Sequence, residues 1–170
     1  MSKFDELCQA YVAAKQEFFA QRAAAVAFAS NLLAGLEAYL GAPPFQLYFQ
    51  PHNREASSTK TRTADGATWL GDDGLWHIAM ALSLRENQDM SQKNLTPQTV
   101  TFELVARPSE TGYCVKLRGA NDEFNVPATA GSAEHAALDE YLFQRVLRSY
   151  KAEGQRFLEN VTVSQRAIDG

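Results

Sequence analysis

From Ser2 to about Leu40 the chain has no proline, and its apolar positions recur at helical spacing. Phe4, Leu7, Cys8, Tyr11, Val12, Phe18 and Phe19 come at helical spacings, and Val26, Leu32, Leu33, Leu36, Tyr39 and Leu40 continue the series. That period predicts one amphipathic helix. Gly41-Ala42-Pro43-Pro44 supplies its stop, with glycine just past the end and proline beyond. Unbroken, such a helix is roughly 57 Å long at its rise per residue. A compact domain of this chain length is only about 30 to 40 Å across. Either the helix breaks near Gln21 to Ala25, or half of it projects and calls for a partner.

At Phe45 the period changes to two. Phe45, Leu47 and Phe49 alternate with polar or aromatic neighbours up to Pro51, and 52–74 reads as a long polar loop. The clearest strand runs from Leu75 to Arg85. It has Trp76, Ile78, Met80, Leu82 and Leu84 on one face and His77, Ala79, Ala81 and Ser83 on the other. After a polar connection, Thr99–Arg107 and Tyr113–Arg118 alternate again about the turn Pro108-Ser109-Glu110-Thr111-Gly112, and a short strand follows at Glu123–Pro127. Ser132 can cap a last helix carrying Leu138, Tyr141, Leu142, Leu147, Tyr150, Phe157 and Leu158. This helix is expected to end near Asn160, leaving 161–170 as a loosely held tail. Consecutive strands between two helices predict an α+β fold with a four- to five-stranded antiparallel meander, in a single domain over 1–160.

Composition places the chain among ordinary globular proteins: 170 residues, 45 % hydrophobic, 21 % charged, net charge −4. The acidic balance argues against a general nucleic-acid binder. The longest uncharged stretch near the start, Ala23 to Leu36, falls short of the roughly 20 apolar residues of a bilayer span. The expectation is a cytoplasmic protein without membrane attachment. Cys8 and Cys114 are the only cysteines, too few for a disulfide framework or a thiolate metal site, and read as reduced, partly buried thiols. No phosphate loop, dinucleotide fingerprint, nucleophile elbow, zinc-protease helix or EF-hand loop occurs, so no cofactor, no metal and no common motif-bearing enzyme class is indicated.

Three groups of residues could still carry function. Asp72 and Asp73 precede His77 closely enough for an acid–base site where the loop meets the sheet, and Arg54, Lys60 or Arg62 could hold a small anion there. Within this group, Gly71-Asp72-Asp73-Gly74 is equally a turn stabilised by its own aspartates. On the polar sheet face, small residues leave a trough that Arg85, Arg107, Lys116 and Arg118 would rim. Lastly, the first helix crowds alanines around Val26, Phe28, Leu32 and Leu33, more apolar surface than one sheet covers, and these four are the expected interface of a homodimer.

At the level of layout alone, with no shared motif, two long helices beside an antiparallel sheet resemble the acidic, dimeric chaperones of bacterial secretion systems. The resemblance implies a homodimer that binds a protein segment. The absence of a catalytic motif and the surplus apolar surface of the first helix make the first functional expectation a homodimeric adaptor or chaperone-like interaction protein. The alternative is a ligand-binding or hydrolytic domain with its site at the 52–74 loop.

Overall fold

The computed structural model describes residues 2–52, 60–84, 98–129 and 133–166, with the side chains of all of these except 153–166. Ser2 opens helix α1 (Lys3–Leu40) with a capping box: Asp5 N–H donates to Ser2 Oγ at 3.2 Å, and Ser2 N–H donates to the Asp5 carboxylate at 2.8 Å. These bonds satisfy helix-end donors that have no intrahelical acceptor. At the other end Gly41 takes the left-handed conformation (φ 58°), and its N–H and that of Ala42 return to Ala38 and Glu37. Between the caps α1 is continuous, so the break expected near Gln21–Ala25 does not occur. Alanines at 20, 23, 24, 25, 27 and 29 are strong helix formers and carry the helix through that stretch.

Strands β1 (Leu47–Phe49), β2 (Thr68–Leu70), β3 (Trp76–Leu84), β4 (Gln98–Pro108), β5 (Gly112–Leu117) and β6 (Glu123–Pro127) form one antiparallel sheet. β3 to β6 are a meander, while β1 and β2 both pair with the free edge of β3, opposite residues 80–82 and 76–78. The α+β layout agrees with the sequence pattern, with one short strand more than expected. Helix α2 (Ala133–Arg166) closes the order. It is helical to Arg166, beyond the expected end near Asn160, while Ser132 lies outside the described residues.

The stretch over 52–74 that reads as a long polar loop divides at Lys60. Residues 53–59 lie outside the described residues. From Thr61 the chain is held in place: Phe49 N–H donates to Thr61 O at 2.9 Å, a single 3-10 turn spans Asp65–Ala67, and Ala64, Ala67 and Thr68 are buried. Arg62 makes a bidentate ion pair with Glu37 of α1, both bonds at 2.7 Å. That hydrogen bonding, against the smaller opposing effect of burial, holds the Glu37 carboxyl below its ordinary range.

Both helices cover the apolar face of the sheet. Ala25, Phe28, Ala29, Leu32, Leu33 and Leu36 of α1 join Trp76, Ile78, Met80, Leu104, Val115, Leu138 and Leu142 in one core. Phe28 stacks on Tyr113 with ring centroids 4.2 Å apart. Contacts between the helices advance in the same direction along each, from Phe28 with His135 through Gly35 with Asp139 to Tyr39 with Glu140. The helices are therefore parallel, and they approach closely where Gly35 has no side chain: a Cβ there would touch His135 and Asp139.

Asp139 is buried in this contact, and desolvation pushes its carboxyl from the ordinary 3.8 up to about 6. Between these values the folded chain keeps a proton that the unfolded chain has released. Stability from this group is therefore full below pH about 4 and lost as pH rises through 6. Asp139→Asn is expected to abolish that loss and to raise stability at pH 7.5 by about 1–3 kcal/mol. Urea unfolding of both proteins at pH 5 and pH 7.5 checks this, since only the difference between them isolates Asp139.

Candidate functional site

The turn between β2 and β3 builds the densest group of polar side chains among the described residues. Gly74 is left-handed (φ 74°), the Gly74 N–H donates to Gly71 O at 3.0 Å, and Asp73 Oδ1 accepts from Leu75 N–H at 3.0 Å. This closes the Gly71-Asp72-Asp73-Gly74 turn and brings the Asp73 carboxylate to His77 Nε2 at 3.0 Å. On its other side His77 Nδ1 lies 2.8 Å from Glu103 Oε1, and Glu103 accepts two bonds from Arg118 Nη1, each at 2.8 Å. A Cβ on Gly71 would come within 2.4 Å of His77 Nε2, so only glycine fits there.

Hydrogen bonding lowers both carboxyls in this chain of contacts. The His77 hydrogen bond comes first, then the Leu75 N–H, in holding the Asp73 carboxyl below its ordinary range. At Glu103 burial works upward, and the bonds from Arg118 and His77 outweigh it, leaving that carboxyl also lowered. Both imidazole nitrogens of His77 face carboxylates, which leaves neither one open to take a proton from a substrate. The two carboxylates sit against opposite ring nitrogens, so their lone pairs do not converge on one point as metal ligation requires. Asp73 and His77 are thus together as the sequence suggested. Asp72 stands outside the group, while Glu103 completes it from β4 and Arg118 from the turn that follows β5. The Asp73–His77–Glu103 order is not legible in local pattern, because Glu103 is 26 residues from His77 and meets it through the β3–β4 register.

The expected anion-holding cations do not converge. Arg62 is engaged by Glu37, Lys60 Nζ lies over the Tyr48 ring at 4.9 Å, and Arg54 is outside the described residues. Nor do the trough cations form a free rim. Arg118 is held by Glu103, Lys116 Nζ is 3.6 Å from Glu123, Arg107 lies in the field of the same Glu123, and Arg85 is outside the described residues. The face itself is less open than an ordinary half-solvated sheet, since His77, Ala81, Ser83 and Val105 are buried. Over His77 lies a stack of Trp69 and then His52, with centroids 5.2 and 4.1 Å apart. Beside it is a hollow of about 510 Å³ with Ala79 and Thr101 among its lining residues and Trp69, Glu103 and Arg118 around them.

The expected interface also requires correction. Phe28, Leu32 and Leu33 are fully buried in this chain's own core, and Val26 packs against it. The first three are not available to a second copy, and Val26 is half-buried. The uncovered apolar surface is instead at the other end of α1, where every residue from Lys3 to Gln21 is exposed. Phe4, Leu7 and Tyr11 are 72, 68 and 67 % exposed, and Val12, Phe18 and Phe19 are exposed beside them. At 100° per residue these side chains, with Ala14, fall on an arc of about 160°. Asp5, Glu6, Gln9, Gln16 and Glu17 lie outside it. The arc continues the face that buries Ala25, Ala29 and Leu36 farther along, so one apolar stripe serves as core in one half and lies bare in the other. Phe18 marks the junction by stacking on Trp76 at 6.1 Å, and Arg22 ties the helix to Asp65 at 2.9 Å. Cys8, expected to be partly buried, is exposed within the stripe.

By length and composition α1 could also cross a membrane, with a third of the relevant stretch buried in the protein. Comparison with known proteins gives no further lead: no family model, curated protein or solved structure matches the chain.

His77→Ala would leave Asp73 and Glu103 without their shared partner, and Gly71→Ala would drive a methyl group into the ring. Each is expected to cost about 1–3 kcal/mol in chemical denaturation. Neither should alter the mass of the protein in solution, since the group lies apart from the bare helix stripe.

Proposed function

We propose that this protein is an interaction module that acts as a homodimer, with the bare half of α1 as its docking element. The observation that carries the reading is the exposure of Phe4, Leu7 and Tyr11 on one face of a helix that has left its own domain. At roughly 200 Å² per aromatic side chain, the exposed parts of the six large residues on the stripe come to about 650 Å². Soluble monomers rarely leave a contiguous apolar patch above a few hundred Å² in water. Two such patches, about 1,300 Å² in all, reach the lower end of a standard protein–protein interface.

The charge pattern favours protein over membrane. The projecting half carries Asp5, Glu6 and Glu17 against Lys3 and Lys15, a small acidic excess, whereas helices that lie on anionic membranes are rich in lysine and arginine. The stretch of α1 most suited to a bilayer is the one that already packs on the sheet. Cytoplasmic location and adaptor or chaperone-like work are consistent with this reading and follow from it as proposals.

In light scattering at micromolar concentration the protein should have a mass near twice 18.8 kDa. Tyr11→Asp and Leu7→Asp are expected to give a monomer with unchanged helix content by circular dichroism, because neither residue contacts the core. A monomeric parent protein would overturn the proposal.

A further inference from the structure

A second apolar surface lies at the far end of the molecule from the projecting stripe. Where α1 ends and α2 continues, an open groove of about 400 Å³ is lined by Leu36, Leu40, Leu142, Phe143, Val146 and Tyr150, among others. Phe143 is 38 % exposed at its edge. Resting on the homodimer proposed above, we infer that this groove receives the α1 stripe of the second copy, and that the exchange is reciprocal.

Four observations lead there. The first is fit along the axis: Leu142 to Tyr150 spans about 12 Å of α2, and Phe4 to Tyr11 about 10 Å of α1. Phe4, Leu7 and Tyr11, at i, i+3 and i+7, are the anchor spacing by which an amphipathic helix enters a hydrophobic groove. The second is chemistry. Among the described residues no charged side chain lines the groove, and Arg145, Arg148 and Lys151 lie on other faces of α2, so an apolar anchor meets only leucine, valine, aromatic and other uncharged side chains there. The third is that the contact cannot form within one chain. Phe4 and Leu40 stand about 54 Å apart on a single continuous helix, so stripe and groove never meet without a second copy.

The fourth is closure. With stripe and groove at opposite ends of α1, two copies laid antiparallel about a two-fold axis satisfy both stripes and both grooves at once, and leave none free. Simple pairing of the two bare helix halves would bury the stripes and leave both grooves in water.

The experiment uses two variants of the full chain, Tyr11→Asp in the stripe and Phe143→Asp in the groove, with Phe143→Ala as a milder second groove variant. Circular dichroism confirms that each is folded. Sedimentation is expected to show dimerisation weakened roughly thirtyfold or more in either aspartate variant, the loss typical of a central aromatic anchor. Mixing the two aspartate variants restores one intact stripe–groove contact, and should recover a species near twice 18.8 kDa that neither forms alone. Dimerisation unchanged in both groove variants but lost in Tyr11→Asp would overturn the groove assignment, and would leave the dimer to form between the helix halves. A parent protein that is monomeric, or that instead sediments with phosphatidylglycerol vesicles, would overturn the dimer itself and the groove assignment with it.

Discussion

Burial of one face of α1, from Ala25 to Leu36, against Trp76, Ile78 and Met80 fixes where the helix sits, and helix continuity then dictates the rest. An α-helix without proline or an unsatisfied turn is stiff over several turns, so the anchored half sets the direction of the other half. At about 57 Å, α1 is longer than the domain beneath it, and the surplus must leave the body of the protein. The apolar period does not stop where the sheet does. The same spacing that makes a core in residues 25–36 makes a bare stripe in residues 4–19, and the two halves differ only in what lies opposite them.

The polar side of the sheet shows the contrasting case of a surface complete in itself. Asp73 and Arg118 come from turns and His77 and Glu103 from β3 and β4, and each has its partner within hydrogen-bonding distance. A buried histidine without those carboxylates would be a destabilising feature, and with them it locks the β2–β3 turn to β4 and β5. The group resembles an acid–base site in composition and behaves as a clasp in geometry. Free valence, in the sense of unsatisfied contact area, is found on α1 instead.

Much of this was legible from the chain. Strict alternation through Trp76–Leu84, Val100–Leu104 and Tyr113–Leu117 identified the core face of the sheet, because a period of two allows only two assignments and the large residues select one. Gly41 followed by two prolines located the helix end correctly. Continuity of α1 was harder, since nothing in a run of alanines distinguishes a helix that bends back from one that runs on. Because it runs straight, Phe28 and Leu32 are core, and Phe4, Leu7 and Tyr11 are surplus. The Glu103 contact to His77 and the Glu37 contact to Arg62 depend on strand register and on where a loop returns, which local pattern does not encode.

An exposed apolar helix is a hazard as well as an opportunity, because the same surface that recognises one partner will adhere to others. The sequence carries restraints that fit a closed contact better than open adhesion. Lys15 sits within the arc of the stripe with its ammonium 5.9 Å from the Phe19 ring, so apolar contact there is interrupted by a charge that needs a matching place on the partner. Asp5 borders the stripe on one side and Lys3 on the other, so its edges carry charges of both signs that an indiscriminate apolar surface does not match. Such features lower the affinity for indiscriminate partners more than for a complementary one. A stripe selected only to be hidden in a lipid or a fold would need none of them.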